Sequence, residues 1–248
     1  MSEARPILSV RNVSKAFGAV QALNRVSFDV HPNEVVALAG DNGAGKSTII
    51  KAISGVFRHD SGDILLDGKA IDFATPHEAR AYGIETIYQD LALADNLSIG
   101  ENIFLGREPK RLALGVLPIL DRAKMADAAR ETMASLDFHV TRLDAPVAAF
   151  SGGQRQAIAI GRAIFWNARL VIMDEPTAAL GVPEQRRVMA LIQSLRAQGK
   201  GIIFISHNLR DIFEVADKIV VFRRGENSGN RKPSETTPDE IVKLMVGS

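Results

Sequence analysis

The sequence predicts an α/β fold: a parallel sheet with helices on both faces, preceded by N-terminal antiparallel strands and interrupted by a helical insertion. Three observations carry this. Short apolar runs, Val35–Ala39, Leu170–Met173 and Gly201–Ser206, read as buried strands separated by helix-competent segments. Val26, Phe28 and Val30 alternate with Ser27, Asp29 and His31, the period of a half-buried strand. Across 91–165 the alternation fades and helical spacing replaces it. The 248 residues suffice for one large domain, with 1–90 and 166–248 forming the core and 91–165 the inserted helical subdomain.

In chain order, residues 7–31 read as antiparallel strands closed by Pro32-Asn33. The Val35–Ala39 strand is followed by a glycine-rich loop and a helix over Ser47–Ser54. Ile64-Leu65-Leu66 runs into Asp67-Gly68, a hairpin turn signal. Ile84–Tyr88 is a further strand, ending at Gln89-Asp90. Asp121 is placed to cap a helix with Met125, Ala129, Met133 and Leu136 on one face, a stripe suited to core packing. A second helical run spans Arg155–Trp166. Asp217–Phe222 is the last core strand, 225–236 a polar loop, and Thr237-Pro238-Asp239-Glu240 opens a final short helix.

Composition narrows the function. Thirty Lys and Arg against 29 Asp and Glu give no net electrostatic case for nucleic-acid binding. With no cysteine, disulfides and thiolate metal sites are excluded. The N-terminus lacks the apolar stretch of a secretory signal, and runs such as Leu112–Leu120 fall short of the ~20 residues of a membrane span. The expectation is a soluble, cytoplasmic chain whose membrane role, if any, comes through a partner.

The chemistry centres on Gly40-Asp41-Asn42-Gly43-Ala44-Gly45-Lys46-Ser47-Thr48, a phosphate-binding loop between strand and helix. Glycines let successive N–H groups point at phosphate oxygens, and the helix N-terminus adds partial positive charge. Lys46 can reach the β- and γ-phosphates, and the Ser47 hydroxyl can ligate Mg²⁺. Asp174 ends an apolar strand, where such a site needs a carboxylate for Mg²⁺. Glu175 points away from it and is better placed to polarise an attacking water. Ser151-Gly152-Gly153-Gln154 opens another helix and makes a second anion site, which one nucleotide does not need from a single chain. Phe17, beside a glycine turn, suits either core packing or an adenine platform.

These motifs in this order resemble the ATPase subunit of an ATP-binding cassette (ABC) transporter, across essentially the whole length. Gly40–Thr48 matches the Walker A loop, Gln89 the Q-loop, Phe150–Gln154 the signature, Leu170–Glu175 Walker B, and His207 the switch histidine. The resemblance implies a P-loop NTPase (RecA-like) core and ATP with Mg²⁺. It also implies a homodimer in a head-to-tail ATP sandwich, each nucleotide touched by Ser151, Gly152, Gly153 and Gln154 of the opposite subunit. Phe17 would stack on adenine, Gln89 would join Ser47 and Asp174 at the metal and couple to the membrane subunit, and His207 would contact the γ-phosphate. The implied catalytic set is Glu175, His207, Lys46 and Gln89. His31, His59, His77 and His139 match no motif and are expected at the surface.

Phe150 stands where leucine is usual, and Gly181 where the D-loop normally carries aspartate. Glu175–Gly181, Gln89–Leu93, Asn96–Gly106 and Leu244–Gly247 are, however, similar to the carbohydrate-importing ATPases, here with a single cassette as in ribose- or fructose-type importers. The implied function is the ATPase of a bacterial sugar importer on the cytoplasmic face of the inner membrane, partnered by integral permease subunits and indirectly by an external sugar-binding protein. The alternative is a soluble, non-transport cassette ATPase of the translation or DNA-repair type; those usually carry two cassettes or a long coiled-coil insertion.

Overall fold

A computed structural model describes residues 5–113, 117–136, 138, 142–178 and 180–247. The chain forms two compact units, one of Met1–Gln89, Ala168–Ala178 and Met189–Ser248, the other of Asp90–Asn167 and Ala179–Val188. In chain order the elements are β1 (Leu8–Phe17), β2 (Val20–Val30), β3 (Val35–Ala39), α1 (Lys46–Ile53), β4 (Ser61–Leu66), β5 (Lys69–Ala70), α2 (Pro76–Ala81) and β6 (Ile84–Ile87). Then come α3 (Ile99–Phe104), β7 (Lys110–Ala113), β8 (Leu117–Leu120), α4 (Arg122–Ser135), α5 (Gly152–Phe165) and β9 (Leu170–Asp174). The chain continues through α6 (Val182–Ala197), β10 (Gly201–Ile205), α7 (Leu209–Val215), β11 (Lys218–Arg223), β12 (Glu226–Arg231) and α8 (Pro238–Val246).

In the first unit, β1 and β2 pair antiparallel around a two-residue turn, and β4 and β5 extend their sheet in the order β2-β1-β4-β5. The alternation read from the sequence puts Val26, Phe28 and Val30 into the core. A second sheet runs β12-β11-β3-β10-β9-β6. Its inner strands β3, β9, β10 and β11 pair parallel, and β3 and β10 are buried along their whole length, which is why they read as unbroken apolar runs. One apolar cluster joins both sheets to α1, with Leu23, Val26, Ile49, Ile53, Ile203 and Phe222 among its members. The carboxyl ends of β3, β9 and β10 therefore stand on a rigid base.

The polar segment expected to be a loop over 225–236 contains β12, antiparallel to β11 and turned by Arg224 and Gly225, both at positive φ. Its residues are polar because it is an edge strand, none of whose residues is buried. The apolar pattern that marked the core strands was therefore absent.

The second unit is built on α3, α4 and α5, whose inner faces share Ile99, Ile103, Phe104, Met125, Met133 and Ile158. Asp121 caps α4 through the Lys124 N–H (3.1 Å), and Met125, Ala129 and Met133 are buried, as the stripe predicts. A capping box of Ser98 and Glu101 starts α3. Asn102, fully buried on that helix, accepts the Ala94 N–H (2.7 Å) and donates to the carbonyls of Ala94, Leu97 and Ser98. It thereby fixes the turn at 94–98. The helical spacing predicts a helical insertion over 91–165, but β7 and β8 pair antiparallel inside it. Pro118 withholds a backbone donor and disfavours a helix there.

Candidate functional site

Between β3 and α1 the chain curls through Gly40–Gly45. A Cβ on Gly40, at φ 152°, would lie 2.5 Å from the Phe222 carbonyl oxygen; one on Gly45, at φ 106°, would lie 2.8 Å from that of Ala22. Only glycine fits at either place. The loop closes through Ala44 N–H to the Asp41 carbonyl (3.1 Å), and α1 takes over with Ile49 N–H to the Gly45 carbonyl (3.0 Å). Lys46 is buried; its Nζ donates to the carbonyls of Gly40 (2.6 Å) and Asp41 (2.9 Å). Burial pulls its ammonium below the usual lysine range, opposed by the charges of Glu175, Asp174 and Asp41.

The loop lines a cavity of about 200 Å³. Asn42, Gly43, Ala44, Gly45, Lys46, Ser47 and Thr48 form one wall, and Gln89, Asp174, Glu175, Ile205 and His207 the rest. Strand ends explain the convergence: Gln89 follows β6, Asp174 closes β9, and His207 follows β10. Burial raises the Asp174 carboxyl above its ordinary value, against the pull of Lys46, Lys51 and His207. Burial also raises Glu175; His207 opposes the rise and the negative charge of Asp174 adds to it. Glu175 sits at φ 53°, an uncommon conformation for a residue with a side chain. Its N–H bonds the Ile205 carbonyl (3.0 Å), its Oε2 accepts the His207 N–H (3.3 Å), and His207 Nε2 lies 3.1 Å from Oε1. Among the described residues no cluster of three or more His, Asp or Glu could hold a metal alone. A hydroxyl (Ser47), an amide (Gln89) and a carboxylate whose charge burial disfavours (Asp174) suit a hard divalent cation that also takes phosphate oxygens.

Gly40 and Asp41 hold Lys46 rather than line the cavity, and Phe17, about half exposed, stands at the end of β1 outside it. In the second unit, Ser151 caps α5: its Oγ accepts the Gln154 N–H (3.4 Å) and its N–H donates to Gln154 Oε1 (2.8 Å). Intrahelical bonding begins with Arg155 N–H to the Ser151 carbonyl, so the N–H groups of Gly152 and Gly153 precede it. His77 is exposed, His31 and His59 are half-buried, and His139 lies outside the described residues.

Two arrangements were not legible in the sequence. Thr177 Oγ1 donates to the buried carboxylate of Asp211 (2.8 Å), which also takes Asn208 Nδ2 (2.8 Å), tying the segment after Glu175 to the one after His207. Nothing in the spacing relates Thr177 to Asp211; only the pairing of β9 with β10 brings them together. The other is Glu184. A Cβ on Gly181 would meet its Oε2 at 2.8 Å, and one on Gly153 its Cγ at 2.6 Å. Gly181→Asp would make the flexible end of Glu184 move aside and would set two carboxylates side by side. The new carboxylate meets that of Glu184, and coupling between the positions of about 0.5–1 kcal/mol is expected. In ATPase assays the single variant should fall below the parent, and adding Glu184→Gln should recover part of the loss.

The family model described as "ABC transporter" matches residues 23–178. The xylose/arabinose import ATP-binding protein XylG of Sulfolobus acidocaldarius is 46% identical over 97% of this chain and 94% of its own length. The fructose import ATP-binding protein FrcA of Rhizobium meliloti is 47% identical over 98% and 95%. Against the ribose import ATP-binding protein RbsA 1 of Rubrobacter xylanophilus, 42% identical, this chain spans 47% of the relative's length. Among solved structures, the ADP conformation of an ATP-binding cassette of an ABC transporter aligns with a TM-score of 0.83 at 26% identity, covering 98% of this chain and 99% of that one. A nucleotide-free cassette aligns at 0.81 and 27% identity, over 98% and 96%. The chain belongs to the ABC transporter family, as an ATPase subunit resembling the single-cassette members that serve sugar import.

Proposed function

We propose that this chain binds ATP with Mg²⁺ and hydrolyses it to power a bacterial sugar importer. The observation that carries the reading is the convergence of the phosphate loop, Gln89, Asp174, Glu175 and His207 on one cavity. Loop N–H groups and Lys46 cradle the phosphates, so Lys46 exchanges its main-chain partners for phosphate oxygens. Ser47, Asp174 and Gln89 would hold Mg²⁺, which neutralises phosphate charge when bound. Glu175 takes the proton of the attacking water; His207 steadies Glu175 and reaches the γ-phosphate. Residues 91–165 act as the helical subdomain that presents Ser151–Gln154 to a second copy of the chain, head to tail, with two ATP molecules between them. Permease subunits carry the sugar across the membrane, an external binding protein delivers it, and the ATPase works at the cytoplasmic face of the inner membrane. Among the described residues no helix is long and apolar enough to cross a membrane.

The coupling path leads through Asp90–Arg107. Ile99, Ile103 and Phe104 pack in the core of the second unit, whereas Leu105 is 46% exposed and Leu91 and Leu97 are half-buried. Leu105→Glu should leave ATPase activity of the purified protein unchanged and abolish sugar uptake in cells, because an unpaired charge buried under a permease helix costs several kcal/mol, about 3–5. Labelled pentose and hexose uptake measured beside the ATPase rate tests this. Equal loss of both activities points to folding, and unchanged uptake removes Leu105 from the path. Deleting the chain should abolish uptake of at least one such sugar; uptake of every sugar at the parental rate overturns the importer reading.

A further inference from the structure

The end of β1 that carries Phe17 is held more elaborately than an exposed strand end requires. Asp60 Oδ2 accepts the Ala16 N–H (2.7 Å), and the Asp60 N–H bonds the Ser14 carbonyl (2.9 Å), so one residue holds the strand at two main-chain groups. Asp60 Oδ1 also holds Lys15 Nζ at 2.6 Å. That ammonium lies 5.5 Å from the centroid of Phe17 and 5.7 Å from that of Phe57, and the two rings meet edge to face at 5.2 Å. The Lys15 side chain is only 16% exposed, so its charge is partly withdrawn from water, where contact with a ring quadrupole gains strength. Phe57 packs against the main core and anchors the assembly. Phe17 itself remains 49% exposed. The result is an aromatic ring fixed from within and open to solvent.

We propose that Lys15 is a positioning residue for the nucleotide base: held by Asp60 against Phe17 and Phe57, it fixes the Phe17 ring as a stacking shelf before the nucleotide arrives. The proposal rests on Phe17 serving as the base platform. A ring already immobilised loses less freedom on stacking, so the shelf raises affinity without touching the phosphates.

Lys15→Met keeps the length and apolar body of the side chain and removes the charge. Affinity for ATP should fall about 3- to 10-fold, with affinity for inorganic tripolyphosphate unchanged, since that ligand engages the phosphate loop alone. Lys15→Arg should recover most of the loss. In a Phe17→Ala background, Lys15→Met should weaken ATP binding no further. Equal weakening of ATP and tripolyphosphate would mean a general disturbance of the fold and overturn the proposal. So would a full Lys15→Met effect in the absence of Phe17. If Phe17→Ala alone leaves ATP affinity unchanged, the base-platform reading fails. If Phe17→Ala weakens ATP and Lys15→Met does not, that reading stands and the role of Lys15 is lost.

Discussion

Glu175→Gln binds ATP as the parent chain does and fails to turn it over. The amide keeps the shape of the side chain and can still accept the His207 N–H, so the geometry of the loop after β9 is preserved. It cannot take a proton from water, and a loss of ~10²–10⁴-fold or more in turnover follows. With hydrolysis blocked, ATP accumulates in the closed dimer, which elutes early in size-exclusion chromatography. The parent's pH profile supplies a companion readout. Glu175 must be ionised to act as a base, and burial together with the adjacent Asp174 holds its carboxyl above the usual glutamate range. Activity should therefore fall on acidification through that raised value, at a higher pH than an exposed glutamate would give. Turnover of the Glu175→Gln variant near the parental rate would remove Glu175 from the base role.

Ser151→Arg stops hydrolysis in the homodimer and leaves ATP binding to the single chain nearly intact. The arginine fills the space over the start of α5, where the partner's γ-phosphate would sit, and does not enter its own phosphate loop. Lys46→Ala carries the opposite lesion: its own loop is disabled while its Ser151–Gln154 remains able to serve a partner. Mixed, the two variants form heterodimers in which one site carries both lesions and the other none. At equal proportions half the dimers are mixed, so about a quarter of the parental activity should return if the sites act independently. Activity measured across mixing ratios, with each variant alone as control, decides the matter. No recovery at any ratio overturns independent sites shared between subunits.

The core strands were legible because their burial is complete. Val35–Ala39 and Gly201–Ile205 are inaccessible on both faces, so the sequence had to be apolar throughout. The phosphate loop was legible because it is contiguous, each residue's role following from its place relative to Gly40 and Gly45. What escaped notice depended on tertiary placement. The polar edge strand Glu226–Arg231 has the composition of a loop and becomes a strand only because β11 offers it a partner. The β7–β8 pair lies within a segment whose stronger signals are helical, the stripe on α4 and the run Arg155–Trp166. Glu184 belongs to none of the sequence motifs. Its contact with Gly153, thirty-one positions earlier, exists only once the start of α6 meets the start of α5.

The left-handed backbone at Glu175 has a bearing on how this enzyme would respond to engineering. A side chain held in that conformation costs roughly 1–2 kcal/mol relative to one in an ordinary region, and a half-buried carboxylate adds to the strain. Glycine at this position would relieve both. Directed evolution rewarding heat resistance alone would therefore favour a sturdier chain with no activity, unless every round also selected for turnover.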